Sequence, residues 1–245
     1  MNTSTDDATL VAEFARAHLP LASAQLPDEY YYQSLPLCVI DAVYSIGVRY
    51  SGVKNVVRRY CNHFGLQQFR SDRRNLPEPA SQEPLTGLCE RFAALGIERM
   101  AKEVFANRQR TSVRNGLLKA EAVSLFAAAL RTHGIEFLQD VQSNAHGAEL
   151  ERDVRCIPGQ GSGISLAYFR MLAGSDALVK PDRMVLRFIQ SALGRTLAVA
   201  EVQPLLERVA ELLKSTVPSM SPRLLDYAIW NYQRVTGGLA SMVLP

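Results

Sequence analysis

Residues 157–163 read Ile157-Pro158-Gly159-Gln160-Gly161-Ser162-Gly163 and stand between two stretches of helical pattern. Upstream, GAELERDVRC (147–156) places Leu150 and Val154, followed by Ile157, on one face. Downstream, Ile164, Leu166, Phe169 and Leu172 mark a second apolar face. Proline ends the first helix. The three glycines permit positive φ and close approach of another backbone. A second helix starting among small residues leaves its first N–H groups unpaired and outward. Helix, glycine hairpin and helix are therefore suited to hold a phosphate on backbone amides. The same spacing also serves a plain helix–turn–helix corner whose glycines answer steric needs alone.

The rest of the chain is helical in pattern, with strand alternation hard to find. Val202, Leu205, Leu206, Val209, Leu212 and Leu213 follow amphipathic spacing, as do Leu224, Leu225, Ala228, Ile229 and Tyr232 after a Ser221-Pro222 start. LLKAEAVSLFAAALRT (117–132) is helix-prone and stops near His133-Gly134, and LPLCVIDAVYSI (35–46) is apolar nearly all round, which marks a buried helix. Roughly eight to ten helices are expected. LQQFRSDRRNLPEPASQEPLT (66–86) is polar and proline-bearing, and reads as a long loop of the kind that often carries function.

At 245 residues the chain can bury a real core, and at 47% hydrophobic and 21% charged it is not wholesale disordered. No run approaches 18 apolar residues, so no membrane-spanning helix is expected. The start MNTSTDDATL lacks the basic-then-apolar order of a secretory leader. Cys38, Cys61, Cys89 and Cys156 are separated by 22, 27 and 66 residues, and His18, His63, His133 and His146 are equally scattered. Zinc and iron–sulfur sites normally need a close cysteine pair, so free thiols in a reducing cytoplasm are expected.

The net charge is only +3, but its distribution is uneven. Residues 1–48 carry six acids and one basic residue besides histidine. Residues 49–74 carry Arg49, Lys54, Arg58, Arg59, Arg70, Arg73 and Arg74 against Asp72 alone. A basic stripe rich in arginine fits phosphate contact and is the footprint of a nucleic-acid binder; a solvated helix face is the alternative.

Ile157-Pro158-Gly159-Gln160-Gly161 resembles the L-P-G-V-G hairpin of the helix-hairpin-helix (HhH-GPD) DNA glycosylase superfamily, the group of endonuclease III and the adenine, alkyl-base and 8-oxoguanine glycosylases. That family carries an acid about 20 residues beyond the hairpin, in the pattern V-D-x-x-x-x-R. Here Val179-Lys180-Pro181-Asp182 is followed by Arg187, and Asp182 lies 19 residues after Gly163. Leu118-Lys119-Ala120-Glu121 resembles the family's Y-x-x-K-A-E helix start. The likeness runs over most of 35–235, with only the hairpin-and-acid block specific.

The resemblance implies an all-α, two-lobed fold: a helical lobe over 31–175 with the hairpin, a second lobe from 1–30 and 176–245, and Asp182 at the cleft between them. It implies double-stranded DNA as partner, a monomer without membrane attachment, a cytoplasmic location, and hydrolysis of the glycosidic bond of a flipped base with Asp182 as catalytic residue. DNA contact falls to Gly159, Gln160, Gly161, Ser162, Gly163, Ser165, Lys119 and Arg49. The carbonyls of Arg155, Ile157 and Gln160 correspond to those that bind a monovalent cation, Na+ or K+; no cofactor is otherwise implied, and the family's four-cysteine iron–sulfur loop is missing. Bifunctional relatives carry a lysine where this chain has Gly163, so hydrolysis without efficient β-lyase activity is expected. Gln160 replaces the aliphatic hairpin tip. Ser45-Ile46-Gly47 stands where some members carry the serine-x-glutamine that fills the flipped base's gap, which leaves Arg49 and Tyr50 as candidates. Tyr30-Tyr31-Tyr32 is a candidate base stack or core, and Tyr227 and Trp230 are assigned to the core. The alternatives are the same fold as a non-catalytic DNA-binding or lesion-sensing protein, or an unrelated helical interaction protein.

Overall fold

Buried apolar stripes at helical spacing organise the chain, and every regular element is helical. The structure, a computed structural model, describes residues 4–48, 50–113, 116–143 and 147–240. Among them there are twelve α-helices and no strand. The count exceeds the eight to ten expected because two short helices, Ile97–Arg99 and Leu138–Ser143, are too brief to show periodicity. No helix among the described residues is long and apolar enough to cross a membrane.

The helices are α1 (Ser4–His18), α2 (Leu35–Tyr44), α3 (Tyr50–Phe64), α4 (Leu85–Leu95), α5 (Ile97–Arg99), α6 (Lys119–Thr132), α7 (Leu138–Ser143), α8 (Gly147–Arg155), α9 (Ile164–Leu172), α10 (Arg183–Leu193), α11 (Val199–Leu213) and α12 (Pro222–Ala240). They fall into two compact units. One comprises Met1–Pro27 with Ser175–Pro245, the other Asp28–Gly174.

In the 28–174 unit, α2 is the central element. All ten of its residues are buried, and α3, α6 and α9 pack around it, with α4 and α8 on α6. A helix apolar on all sides has no solvent face to lose and fits only such a position. Its one carboxylate, Asp41, is fully buried, and its Oδ2 accepts hydrogen bonds from the hydroxyls of Tyr32 (2.7 Å) and Tyr50 (2.8 Å). Burial first, and then the Asp41 charge, push the Tyr32 and Tyr50 hydroxyls well above the ordinary tyrosine range, so both stay donors. The C-terminal end of α2 is closed by Lys119, whose Nζ donates to the carbonyls of Tyr44 (2.9 Å) and Ile46 (2.6 Å).

In the other unit, α1 packs on α10 and α11, and α12 packs on both of these. Val11, Phe188, Ile189, Leu206, Val209, Leu213, Leu225 and Ile229 form its core. Each large side chain buried there is worth about 1.5–3 kcal/mol relative to exposure. On α10, Val185, Phe188 and Ile189 supply the buried face, and the helix ends at Gly194 in the left-handed region, φ +69°.

Of the 66–86 stretch, 66–84 is irregular apart from an isolated bridge between Phe69 and Tyr32 and one short 3-10 turn, Pro79–Ser81, while Leu85 and Thr86 already belong to α4. Backbone bonds from Gln33 N to Gln68 O (3.0 Å) and from Arg70 N to Tyr31 O (2.9 Å) fasten it beside Tyr32. It borders a cleft of about 330 Å³ lined by Gln33, Gln67, Arg70, Asp72, Asn75 and neighbouring residues.

Candidate functional site

The hairpin of 157–163 is closed by its own backbone. Gln160 N donates to Ile157 O (2.9 Å), and Gly163 N donates to Gln160 O (3.0 Å). Gly159 (φ +89°) and Gly163 (φ +74°) both occupy the left-handed region that side chains disfavour, which is why glycine stands at these two positions. Gly163 is also the residue before α9, so the helix starts from a left-handed turn.

Pro158, Gly159, Gly161 and Ser162 are exposed. The N–H groups of Gly161 and Ser162, and those of Ser165 and Leu166 in the first turn of α9, make no hydrogen bond among the described residues. These are donors at the positive end of a nine-residue helix. Arg155 at the end of α8 reaches back over the turn: its Nη1 donates to Gly161 O (2.9 Å), while its Nε binds Glu151 (2.8 Å). Three side-chain oxygens around the hairpin are buried without a hydrogen-bond partner, namely Thr111 Oγ1, Gln160 Oε1 and Ser165 Oγ.

The expected contact residues divide into two groups. Gly159, Gly161, Ser162 and Gly163 lie together on the hairpin surface. Gln160 does not: its side chain is turned inward and the residue is 2% exposed, so the polar tip offers backbone only. Ser165 is likewise buried. Lys119, expected to touch a phosphate, is 3% exposed and holds the end of α2 instead. A lysine at a helix start is read from sequence as surface, but here two carbonyls at the end of a buried helix need a donor. Arg49 lies outside the described residues.

Much of the basic stripe is engaged within the unit. Lys54 pairs with Glu29, and Arg73 with Asp28. Arg59 donates to the carbonyls of Phe105 (3.2 Å) and Ala106 (3.3 Å), and Arg70 is buried. Lys54, Arg58, Arg59, Arg73 and Arg74 are nonetheless all exposed. Of the three tyrosines, Tyr30 and Tyr32 are buried, and Tyr31 is covered by the guanidinium groups of Arg70 and Arg73 at 5.7 and 5.0 Å from its ring. Tyr227 and Trp230 are half-buried and stacked on each other at 6.1 Å, with Arg234 over Trp230, rather than enclosed in the core.

Asp182 belongs to the other unit. It caps α10: its Oδ1 accepts from Met184 N (2.8 Å) and Val185 N (3.3 Å). A short polar side chain before Arg183 and an apolar run is a cap signal, and the helix forms as that signal requires. A second carboxyl, missed in the sequence, stands close by. Asp226 on α12 is 3% exposed, and its Oδ1 accepts from Lys180 N (2.7 Å). Burial and the neighbouring Asp182 charge push its carboxyl up to about 8, against the hydrogen bond from Lys180, which pulls the other way. The signal was present: Asp226 sits one residue from Leu225 and three from Ile229, on the inward side of an amphipathic helix where a carboxylate is out of pattern.

A family model described as a domain of unknown function (DUF8548) matches residues 8–234. The chain belongs to this family. The DUF8548 match runs from within α1 to within α12 and so takes in both the hairpin and the Asp182–Asp226 pair. No curated protein and no solved structure matches the chain. Among the described residues, no group of three or more histidine, cysteine, aspartate or glutamate side chains is arranged to hold a metal ion.

Proposed function

We propose that this protein is a DNA glycosylase-like hydrolase that binds duplex DNA through the 157–163 hairpin and breaks the glycosidic bond of a damaged or mismatched base with Asp182. The observation that carries the reading is the exposed turn of Gly161 and Ser162 ahead of α9, whose N–H groups make no hydrogen bond among the described residues. Such an array takes a phosphate without reading sequence.

In the proposed reaction the target nucleotide leaves the stack. The bond from the base nitrogen to the sugar lengthens, and positive charge builds on the sugar. The Asp182 carboxylate stabilises that charge and orients a water molecule. The water oxygen bonds to the sugar carbon, the base departs with the bonding electron pair, and the water proton passes by way of the carboxylate to the base. With glycine at position 163 no amine forms a Schiff base, and the product is an abasic site in an unbroken strand. The carbonyls of Arg155, Ile157 and Gln160 would hold a Na+ or K+ ion that offsets phosphate charge; those of Ile157 and Gln160 keep a lone pair beyond the N–H each already accepts.

The test is single-turnover incubation of excess protein with labelled duplexes carrying uracil, mismatched adenine or thymine, 8-oxoguanine and alkylated purines, with and without alkali. The comparison is Asp182→Asn, which keeps an oxygen for the Met184 and Val185 N–H groups and so spares the cap. Breaks only after alkali, lost in D182N, are expected. Breaks without alkali would overturn the hydrolytic assignment. Salt-sensitive duplex binding with no excision would favour the non-catalytic DNA-binding reading, and the absence of salt-sensitive binding would remove DNA altogether.

A further inference from the structure

The segment from Ser175 to Asp182 has no regular structure, yet its backbone is held at several points by side chains from α11 and α12. Gln203 accepts from Val179 N (3.0 Å) and donates to Ala177 O (2.7 Å). Arg223 binds the Asp176 carboxylate through Nε (2.8 Å), and its own N–H donates to Asp176 O (3.2 Å). Asp226 accepts from Lys180 N (2.7 Å). Val179, 1% exposed, anchors the middle of the segment in the core. An irregular stretch braced in this way is a rigid mount rather than a passive connection.

The hydrogen bonds are linked through Lys180, whose N–H and C=O lie on successive peptide planes joined at its Cα. Asp226 Oδ1 holds Lys180 N–H. Lys180 O accepts from Asp182 N (2.6 Å) across Pro181, whose ring fixes φ. Asp182 Oδ1 then receives Met184 N and Val185 N. Moving the Lys180 peptide would therefore move the Asp182 carboxylate.

We propose that Asp226 is the positioning residue of Asp182: through the Lys180 peptide it sets the turn that presents the Asp182 carboxylate. This rests on Asp182 being the reacting group. A carboxyl is an expensive choice for that place if stability alone were served, since Leu225 and Ile229 show that the surrounding positions accept apolar residues. What the carboxyl adds is an oxygen that binds Lys180 N–H and a proton held out of solvent beside a second carboxylate. Burial favours the protonated form of that carboxyl.

The test compares full-length wild type, D226N and D226L by amide NMR and by single-turnover excision. D226L is expected to lower hydrogen-exchange protection of the Lys180 amide about tenfold or more, the loss typical of a broken buried hydrogen bond, and to shift the Met184 amide. D226N, which keeps an acceptor, is expected to retain both. In the excision assay D226L is expected to slow the bond-breaking step about tenfold with duplex affinity within about twofold, and D226N to keep the rate within about threefold. Unchanged Lys180 and Met184 amides in D226L would overturn the proposal, as would D226N behaving like D226L. Should D226L not fold, D226N decides alone. Its Lys180 amide must stay protected, and the pH step expected at the wild-type Met184 amide as Asp226 titrates must be missing from it; a step retained in D226N overturns the assignment. A wild type that excises nothing counts against the glycosylase reading, while the amide measurements still decide the role of Asp226.

Discussion

A Cβ built on Gly159 would lie 2.4 Å from the Cβ of Thr111, so the hairpin glycine and Thr111 touch with no room for a side chain between them. The contact fixes the hairpin from outside its own two helices. It also makes Gly159 glycine for two reasons at once, the positive φ and the neighbour.

Gly159→Ala is therefore expected to destabilise the protein by about 2–4 kcal/mol, from left-handed strain plus overlap. Thr111→Gly in that background should recover the steric part and leave the strain. Ser162→Ala, exposed on the same turn, should stay within about 0.5 kcal/mol. Chemical denaturation of these three variants beside wild type checks this, and a neutral Gly159→Ala would mean Thr111 yields without cost.

Lys119→Met removes the donor that Tyr44 O and Ile46 O share. The expected loss is about 2–4 kcal/mol, because two carbonyls in a buried setting lose their charged partner. Since Nζ points inward, the salt dependence of duplex binding should keep its slope. A slope reduced by about one would instead place Lys119 on a phosphate.

Asp226 predicts a pH dependence with a definite sign. Its carboxyl in the folded protein is raised to about 8, above the ordinary aspartate value of 3.8. Between those values the folded chain holds a proton that the unfolded chain has released, so stability falls as pH rises. The contribution is fully present below about pH 4 and lost once pH passes about 8. Asp226→Asn should flatten that decline. Urea midpoints at several pH values from 5 to 9 give the comparison, and parallel curves for the two proteins would contradict it.

The cysteines should separate by burial. Cys156 is exposed at the start of the hairpin, and Cys89 is half-buried. Cys38 and Cys61 are buried, and burial pushes the Cys61 thiol up to about 12 and that of Cys38 higher still. Thiolate is the reactive form. Iodoacetamide at pH 8 should thus modify Cys156 first, and Cys38 and Cys61 only in denaturant, as read by peptide mass spectrometry. Native labelling of Cys38 would be inconsistent with the packing of α2.

The helices that sequence made legible are the ones whose burial is local and periodic. Leu150 and Val154, or Leu205, Leu206 and Val209, declare their faces because each helix lies along one core. The hairpin was legible for a related reason: proline and glycine limit the backbone by themselves, whatever surrounds them. The Asp182 cap is as local, its bonds reaching only two and three residues ahead, but the reading of Asp182 as a catalytic acid passes over it.

What the sequence by itself determined, then, is a helical pattern nearly throughout and the glycine turn between α8 and α9. Each depends on neighbours within a turn or two. The tertiary structure alone decided that Lys119 and Gln160 face inward, that Asp41 gathers two tyrosine hydroxyls, and that Asp226 reaches Lys180 from 46 residues away. Those outcomes depend on which distant groups lack a partner once the helices are packed. Burial makes an unpaired carbonyl or N–H costly, and the side chain that satisfies it is chosen by position in space rather than along the chain.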